Sequence, residues 1–461
     1  MAEELVDRRI VLSWVKAGLI WGFITPLIGF LLSMDFNFPD WLQGISWLSF
    51  GRLRPFHTNG VVLGAFTTMA FASIYYMVPK LTGVPMRGMK WARPMFHVFN
   101  IALTAGLIAV CFGYNKGLEV ADLPVWSAVP LWLCFLVLTG QVLSTIAVRK
   151  EPQMYVSLWY LTAALVWTDL NLPFGNVILV YWIPGVMNAA MHGLYLHYVV
   201  GLWITPMGLA MIYFFLPLAA ENPVYSHKLS MLGFWTIAFF YPFVGTHHYL
   251  FSPIADWVET ISIVTSMALI IPVWTVCTNF FGTMQGNWVK FQTSYAAKFM
   301  ILGAFYYLVG STQGSLEALR RVQELTHFSD LVIAHSHLTV FGTFILWGTA
   351  AGYYIVPRVT GKPLWSNKLA DWNFWTIVVS FSAMAIDLTY MGLMQGYMLE
   401  SGADFVDTIV ALKPWWFVRT VAGLTMDISM LFFAINMWKT IGSAAPASTT
   451  SPATAPTPAL A

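Results

Sequence analysis

The chain has 461 residues, 58% of them apolar and 16% aromatic, while Asp, Glu, Lys and Arg together make up 10%. A soluble domain carries roughly 25% charged residues, so this composition excludes a water-soluble globule and indicates an all-α, polytopic integral membrane protein. A formal net charge of +2 without blocks of like charge excludes nucleic acid as a partner. Three cysteines (Cys111, Cys134, Cys277), all in apolar stretches and none in a C-x-x-C pair, exclude a disulfide framework, a zinc knuckle and covalent haem attachment.

Apolar runs of the ~20 residues needed to cross a bilayer occur near 11–34, 57–80, 95–114, 124–148, 154–175, 186–217, 229–251, 260–284, 295–312, 331–357, 372–397 and 416–439. The first is too long for a signal peptide and has no A-x-A site, so it reads as a retained helix. With the N-terminus inside, 16 of the 23 basic residues fall in inner loops or span ends, among them Arg8, Arg9, Arg87, Lys90, Arg149, Lys150, Lys290 and Lys368. The acidic loop residues Glu119, Asp122, Asp256, Glu259, Glu400, Asp404 and Asp407 fall outside, which puts both termini on the cytoplasmic side. One domain is expected over 1–440, followed by a disordered Ala/Pro/Ser/Thr tail at 441–461.

Six of the ten histidines sit at the outer third of these spans, where polar side chains are costly unless they ligate, pair or line a cavity. His57 opens the second span. His197 lies in the sixth, His247 and His248 near the outer end of the seventh, and His335 and His337 at the outer start of the tenth. Positions i and i+2 of a helix point about 200° apart, so His335 and His337 can serve two cofactors flanking one helix, such as a pair of haems, with His57 available as a second axial ligand. His247 and His248 at a frayed helix end can reach one ion, with His197 as a third ligand, and imidazole suits copper. Singly, each is more simply a hydrogen-bonded packing residue, the reading given to His97 and His192; His227 reads as solvated in an inner loop.

The segments SWLSFGRLRPFHTN (46–59), HYVVGLWITP (197–206), YPFVGTHHYL (241–250), LTHFSDLVIAHSHL (325–338) and GLMQGYM (392–398) carry a resemblance to the haem-copper oxidase superfamily. Within it the chain is most similar to the catalytic subunit I of cbb3-type cytochrome c oxidases, over essentially 10–440. The resemblance implies a twelve-helix bundle with two haems b and one copper ion, reducing O2 to water with coupled proton uptake. By that pattern His57 and His337 look like the axial pair of a low-spin haem b and His335 the proximal ligand of the high-spin haem. His197, His247 and His248 look like the copper ligands. Tyr241, six residues before His247, resembles the tyrosine cross-linked to a copper histidine, here His197. Arg54, Arg52 and His327 resemble haem-propionate partners, and Glu119 and Asp122 the acidic contacts of a calcium ion. Thr205, Tyr213 and Ser230 lie on the cytoplasmic side below Tyr241; Ser230 is 11 residues from it, about 16 Å of helix rise. They match the single proton channel of such enzymes, although hydroxyls in membrane helices also bond backbone carbonyls. Electrons would come from membrane-anchored monohaem and dihaem c-type cytochrome subunits, with the haems on the periplasmic side of a bacterial inner membrane.

The chain departs from the family pattern at Gln313, where a glutamate often stands; an amide cannot carry a proton as a carboxylate does. Two other functions compete. A nitric oxide reductase of the same superfamily would need glutamates around a non-haem iron, yet Gly201 stands four residues after His197, where such reductases carry one. A transporter or haem sensor without turnover would have no use for three imidazoles facing an open haem. Asp169, Asp387 and Asp427, in or near spans, have no role in this reading.

Overall fold

The computed structural model describes residues 5–42 and 44–443. Each expected run lies on one helical span: α1 (Arg8–Asn37), α2 (Phe50–Thr82), α3 (Met89–Cys111), α4 (Val125–Ala147), α5 (Val156–Tyr181), α6 (Gly185–Ala220), α7 (His227–Tyr249), α8 (Asp256–Thr283), α9 (Tyr295–Glu317), α10 (Leu331–Thr360), α11 (Asn367–Glu400) and α12 (Phe405–Gly442). Among the described residues, eleven of these are long and apolar enough to cross a bilayer; α9, with 23 residues, is long enough but less apolar. Helix α12 continues to Gly442, slightly past the expected domain end, and the remainder of the expected tail lies outside the described residues.

The helices are not equally placed. The apolar windows of α2 and α6 are 100% and 94% buried and that of α10 61%, against 39–44% for α1, α3, α5, α7 and α12. Helices α2, α6 and α10, three of the four that carry the clustered histidines, are therefore the inner ones. In lipid there is little hydrophobic drive between helices, so close approach rests on small residues and fitted aromatics. Gly64 faces the Trp21 ring and Gly18 the Met69 side chain, so closely that a β-carbon would lie within 3 Å of each. Trp14 meets Phe71, Phe96 and Phe99 edge to face.

Each of the three inner helices contains a π-helical turn just beyond its histidine: Gly60–Phe66 after His57, Val199–Ile204 after His197, and Val340–Ile345 after His337. A π-turn inserts an extra residue and rotates the helical turns beyond it, a device that recurs at functional sites. The seventh span differs from the expected continuous run. Its α-helix ends at Phe240, a 3-10 turn covers Tyr241–Phe243, and a second covers Thr246–Tyr249. Between them Gly245 has φ 137°, a conformation open to glycine, and its missing side chain lets the backbone pass against the Gly193 carbonyl.

Candidate metal centre

The break in α7 turns His247 and His248 toward α6. The Nε2 atoms of His197 and His247 are 3.1 Å apart, and one ring nitrogen from each of His197, His247 and His248 lies within 4.8 Å of the others. Ring centres are separated by 4.6, 4.9 and 4.6 Å. Three imidazoles on one ion with bonds of about 2 Å hold their nitrogens roughly 3–3.5 Å apart, so the cluster fits a small ion, and nitrogen donors suit copper. On His247, Nδ1 is fixed by the Ser266 hydroxyl at 2.9 Å, with Ser262 at 3.4 Å, which leaves Nε2 for the ion. Orienting contacts of this kind set the ring and tautomer of a metal-binding histidine. His197 Nδ1 is buried without a hydrogen-bond partner among the described residues.

Tyr241 is 9% exposed, with its ring centre 5.7 Å from that of His197. Its ring occupies the space beside Gly201: a β-carbon there would fall 1.6 Å from it. Any side chain at 201 would therefore displace Tyr241. The Tyr241 hydroxyl has Thr205 as its hydrogen-bonding neighbour.

On the other side of α10, the His57 and His337 rings lie 6.3 Å apart, with planes at 24°. An iron with one imidazole on each face needs ring centres separated by about 6 Å, so the gap fits. Both rings are steered by backbone: Nδ1 of His57 lies 2.7 Å from the Thr25 carbonyl, and Nδ1 of His337 lies 2.8 Å from that of Ile333. Gly29 leaves the room that the His57 ring fills, and Gly314 does the same for His335, where β-carbons would come within 2.6 and 2.4 Å. His335 is in electrostatic reach of His197, His247 and His248, while His337 is in reach of His57. The two rings of the H-x-H motif thus serve opposite sides of their helix.

The structure sorts the remaining candidates. Tyr213 and Ser230 come together, and Asn279 joins them, donating to the Ser230 hydroxyl at 2.9 Å and to the Tyr213 oxygen at 3.2 Å. Tyr307, hydrogen-bonded to Ser311, is in electrostatic reach of both Tyr213 and Tyr241. Neither Asn279 nor Tyr307 stands out in the sequence, where nothing in a lone Asn or Tyr on an apolar helix marks it. Gln313 Oε1 is buried without a partner among the described residues, and one turn further on the same helix Glu317 is 8% exposed with Oε1 likewise unpartnered. A carboxyl thus stands one turn beyond Gln313, toward the outer end of the helix.

Arg54 pairs with Glu119 at 2.5 Å, and Arg52 donates to the Cys111 carbonyl at 3.2 Å. His327 Nδ1 lies 2.6 Å from Gln323 Oε1, and burial holds its pKa below the usual value. Asp122 Oδ2 accepts from Asn59 at 2.8 Å and from the Val120 amide at 2.9 Å. The Lys116 ammonium, donating to Asn176 Oδ1 at 2.9 Å, lies in electrostatic reach of Asp122. Calcium takes six to eight oxygens. With Glu119 held by Arg54 and a lysine beside Asp122, this donor set does not fit the calcium expected from sequence. His192, expected to be a packing residue, is buried and bonded to the Glu119 carbonyl at 3.0 Å, whereas His97 is exposed on α3 rather than packed. His227 is exposed at the start of α7. Asp169 Oδ2 accepts from Thr139 at 2.6 Å.

The family described as cytochrome c and quinol oxidase polypeptide I matches residues 9–425. A cytochrome c oxidase subunit 1 homolog from the bacteroid of Bradyrhizobium diazoefficiens is 30% identical, over 92% of this chain and 80% of its own length. Cytochrome c oxidase subunit 1 of Rhodobacter capsulatus is 30% identical, over 93% and 85%. A cbb3-type cytochrome c oxidase subunit of Stutzerimonas stutzeri is 28% identical, over 95% and 96%. Among solved structures, a haem-copper terminal oxidase dimer superimposes with a TM-score of 0.80 at 14% identity, covering 97% of this chain and 86% of that one, a likeness of fold.

Proposed function

Because the chain belongs to the cytochrome c and quinol oxidase polypeptide I family, and so to the haem-copper oxidoreductases, we propose that it is the catalytic subunit of a cbb3-type terminal oxidase, reducing O2 to water. In this reading His57 and His337 hold a low-spin haem b, His335 a high-spin haem b, and His197, His247 and His248 a copper ion. Those groups would supply the binding of O2 and the electrons that break its bond. The observation that carries the reading is the Tyr241 ring packed into the space at Gly201, beside His197. A reductase of nitric oxide would need carboxylates around its second metal; here the position four residues after His197 is closed by a phenol.

The chain's own groups divide the remaining work. Tyr241 holds a proton at its hydroxyl next to His197 and can release it where oxygen is reduced. Thr205 orients that hydroxyl. Below it, Ser230, Asn279 and Tyr213 form a hydrogen-bonded group on the cytoplasmic halves of α7, α8 and α6, and Tyr307 is in electrostatic reach of both Tyr213 and Tyr241. This hydroxyl series is the proton route; Glu317, one turn beyond Gln313 at the outer end of α9, lies apart from it. These groups are packed among buried side chains, so transfer along them requires transient hydration. Electrons enter from the outer side, through membrane-anchored monohaem and dihaem c-type subunits, since the chain has no C-x-x-C-H of its own. Both termini lie in the cytoplasm of a bacterium and the haem side faces the periplasm, in keeping with the positive-inside distribution of its loops.

The test is gas consumption by the purified complex alongside the Tyr241→Phe variant. Oxygen uptake well above nitric oxide turnover, lost in the variant while copper is retained, is expected. Dominant nitric oxide turnover with iron in the three-histidine site would overturn the proposal.

A further inference from the structure

Resting on the reading of His57 and His337 as the axial pair, we propose that Asp387 and Arg419 are an opposed pair of buried charges that set the reduction potential of the low-spin haem. Asp387 is 5% exposed, and both of its carboxylate oxygens are buried without a hydrogen-bond partner among the described residues. Its position follows from the packing of α11. Gly392 lies so tightly on Leu331 that a β-carbon would meet the Leu331 backbone at 2.2 Å, and the Phe381 ring lies tilted 5.5 Å from that of Phe341. Asp387, midway between those two residues of α11, is therefore level with the middle of 331–341 on α10, where His335 and His337 stand.

Helix α12 supplies the counter-charge. Arg419 lies in electrostatic reach of Asp387, of Asp330, and of both axial histidines. Its guanidinium lies over the Phe36 ring at 4.8 Å, and its side chain is 14% exposed. Asp330, which precedes α10, sits 3.5 Å from Arg419 Nη1 and accepts from Trp416 Nε1 at 3.1 Å. The Nη1 atom makes no well-aligned hydrogen bond among the described residues. Asp330 and Arg419 thus neutralise one another, and Asp387 is the surplus carboxylate. The charged groups in electrostatic reach of the axial histidines are Arg419, for both, and Arg54 on α2, for His57; Asp387 joins them through Arg419 and its level on α11.

Away from water, charges at this range act strongly on one another. Reduction of a haem iron by one electron removes a positive charge, so a nearby carboxylate favours the oxidised form and a nearby guanidinium the reduced form. No bond forms or breaks; the electron comes from the c-type donor. Asp387 and Arg419 act through the haem's electrostatics and not on substrate, so both are positioning residues. The pairing is invisible in sequence, because the two lie on different helices.

The experiment is potentiometric titration of the low-spin haem's optical band in the intact complex at mildly alkaline pH. Asp387→Asn, nearly isosteric, is expected to raise the midpoint potential and Arg419→Gln to lower it. Arg419→Lys, which keeps the charge, is expected to stay near the parent value. The copper content and the high-spin haem spectrum should not change in any of them. Shifts that are absent or of the same sign, with a normal low-spin spectrum, would overturn the proposal. Survival of the low-spin spectrum in His57→Ala would overturn the axial-pair reading and the proposal with it.

Discussion

The two sides of α10 hold their histidines by different means. On one side His57 and His337 stand on unbroken helices, each with Nδ1 against a backbone carbonyl, at 2.7 and 2.8 Å. On the other, His247 and His248 come from a short 3-10 turn beyond a break at Gly245, and His247 is oriented by serine hydroxyls. A group that only passes electrons profits from ligands that do not move, which backbone carbonyls provide. A group that takes up a ligand and protons needs a site assembled from loops and hydroxyls, on which side chains can rearrange. The hydroxyl-bearing residues follow the same division: Tyr241 packs beside His197, with Thr205 at its hydroxyl and Tyr307 in electrostatic reach of it, whereas the charged groups in reach of His57 and His337 are Arg419 and, for His57, Arg54.

The strongest way to break this comparison is to remove one ligand from each side. His247→Ala should abolish oxygen consumption while the low-spin spectrum persists, and His57→Ala should remove the low-spin spectrum while copper stays bound. Loss of both cofactors in either variant would mean that the two sides are not independent. Next in size is Tyr241→Phe, which removes a proton donor worth roughly 10²–10⁴ in rate for a positioned acid. Gly201→Ala should reach a similar loss by displacing the ring, with the Tyr241→Phe, Gly201→Ala double variant no worse than either single change. An additive double variant would show that Gly201 acts elsewhere.

A smaller effect is expected along the hydroxyl series. Ser230→Ala or Asn279→Leu should slow steady turnover if proton entry is limiting, by less than the roughly 10²-fold that marks the low end of a positioned acid's contribution. Stopped-flow measurement of electron entry into the low-spin haem should be unaffected in both, since that step lies on the other side of α10. Equal slowing of electron entry would contradict the division.

The smallest effect concerns the outer loop between α3 and α4. Burial lowers the Lys116 pKa from 10.5 to about 8, opposed by Asp122. A lysine with a lowered value in the folded state is destabilising while charged. Above about pH 8 the folded form releases its proton before the unfolded form does, so stability rises with pH until about 10.5. Hydrogen exchange of the loop should slow, relative to the intrinsic rate, over that window in the parent chain and not in Lys116→Met.

Much of the fold was legible because membrane depth imposes a coarse rule: ~20 apolar residues make a span, and all twelve runs lie on helical spans, the seventh broken near its outer end. The histidines were legible for the same reason, being costly at that depth unless used. What escaped was everything set by contact between helices. The π-turns below His57, His197 and His337 leave no composition signal. The break at Gly245 looks like a fraying end in sequence, because a glycine near a span terminus has many uses. Gly201 stands out for the side chain it lacks, but its physical role, admitting Tyr241, depends on the approach of α7 to α6. Asn279 and Arg419 are ordinary in sequence and acquire partners only when α8 meets α6 and α12 meets α11. The ion pair of Arg54 with Glu119 and the placing of Lys116 in reach of Asp122 are likewise set by contact, between α2 and the outer loop and within that loop.

The most direct test is elemental and haem analysis of the purified complex, with the His247→Ala variant beside it. The account predicts one copper for every two haems b in this subunit, with the copper lost and both haems retained in the variant. Iron in place of copper, or copper that survives removal of His247, would contradict it.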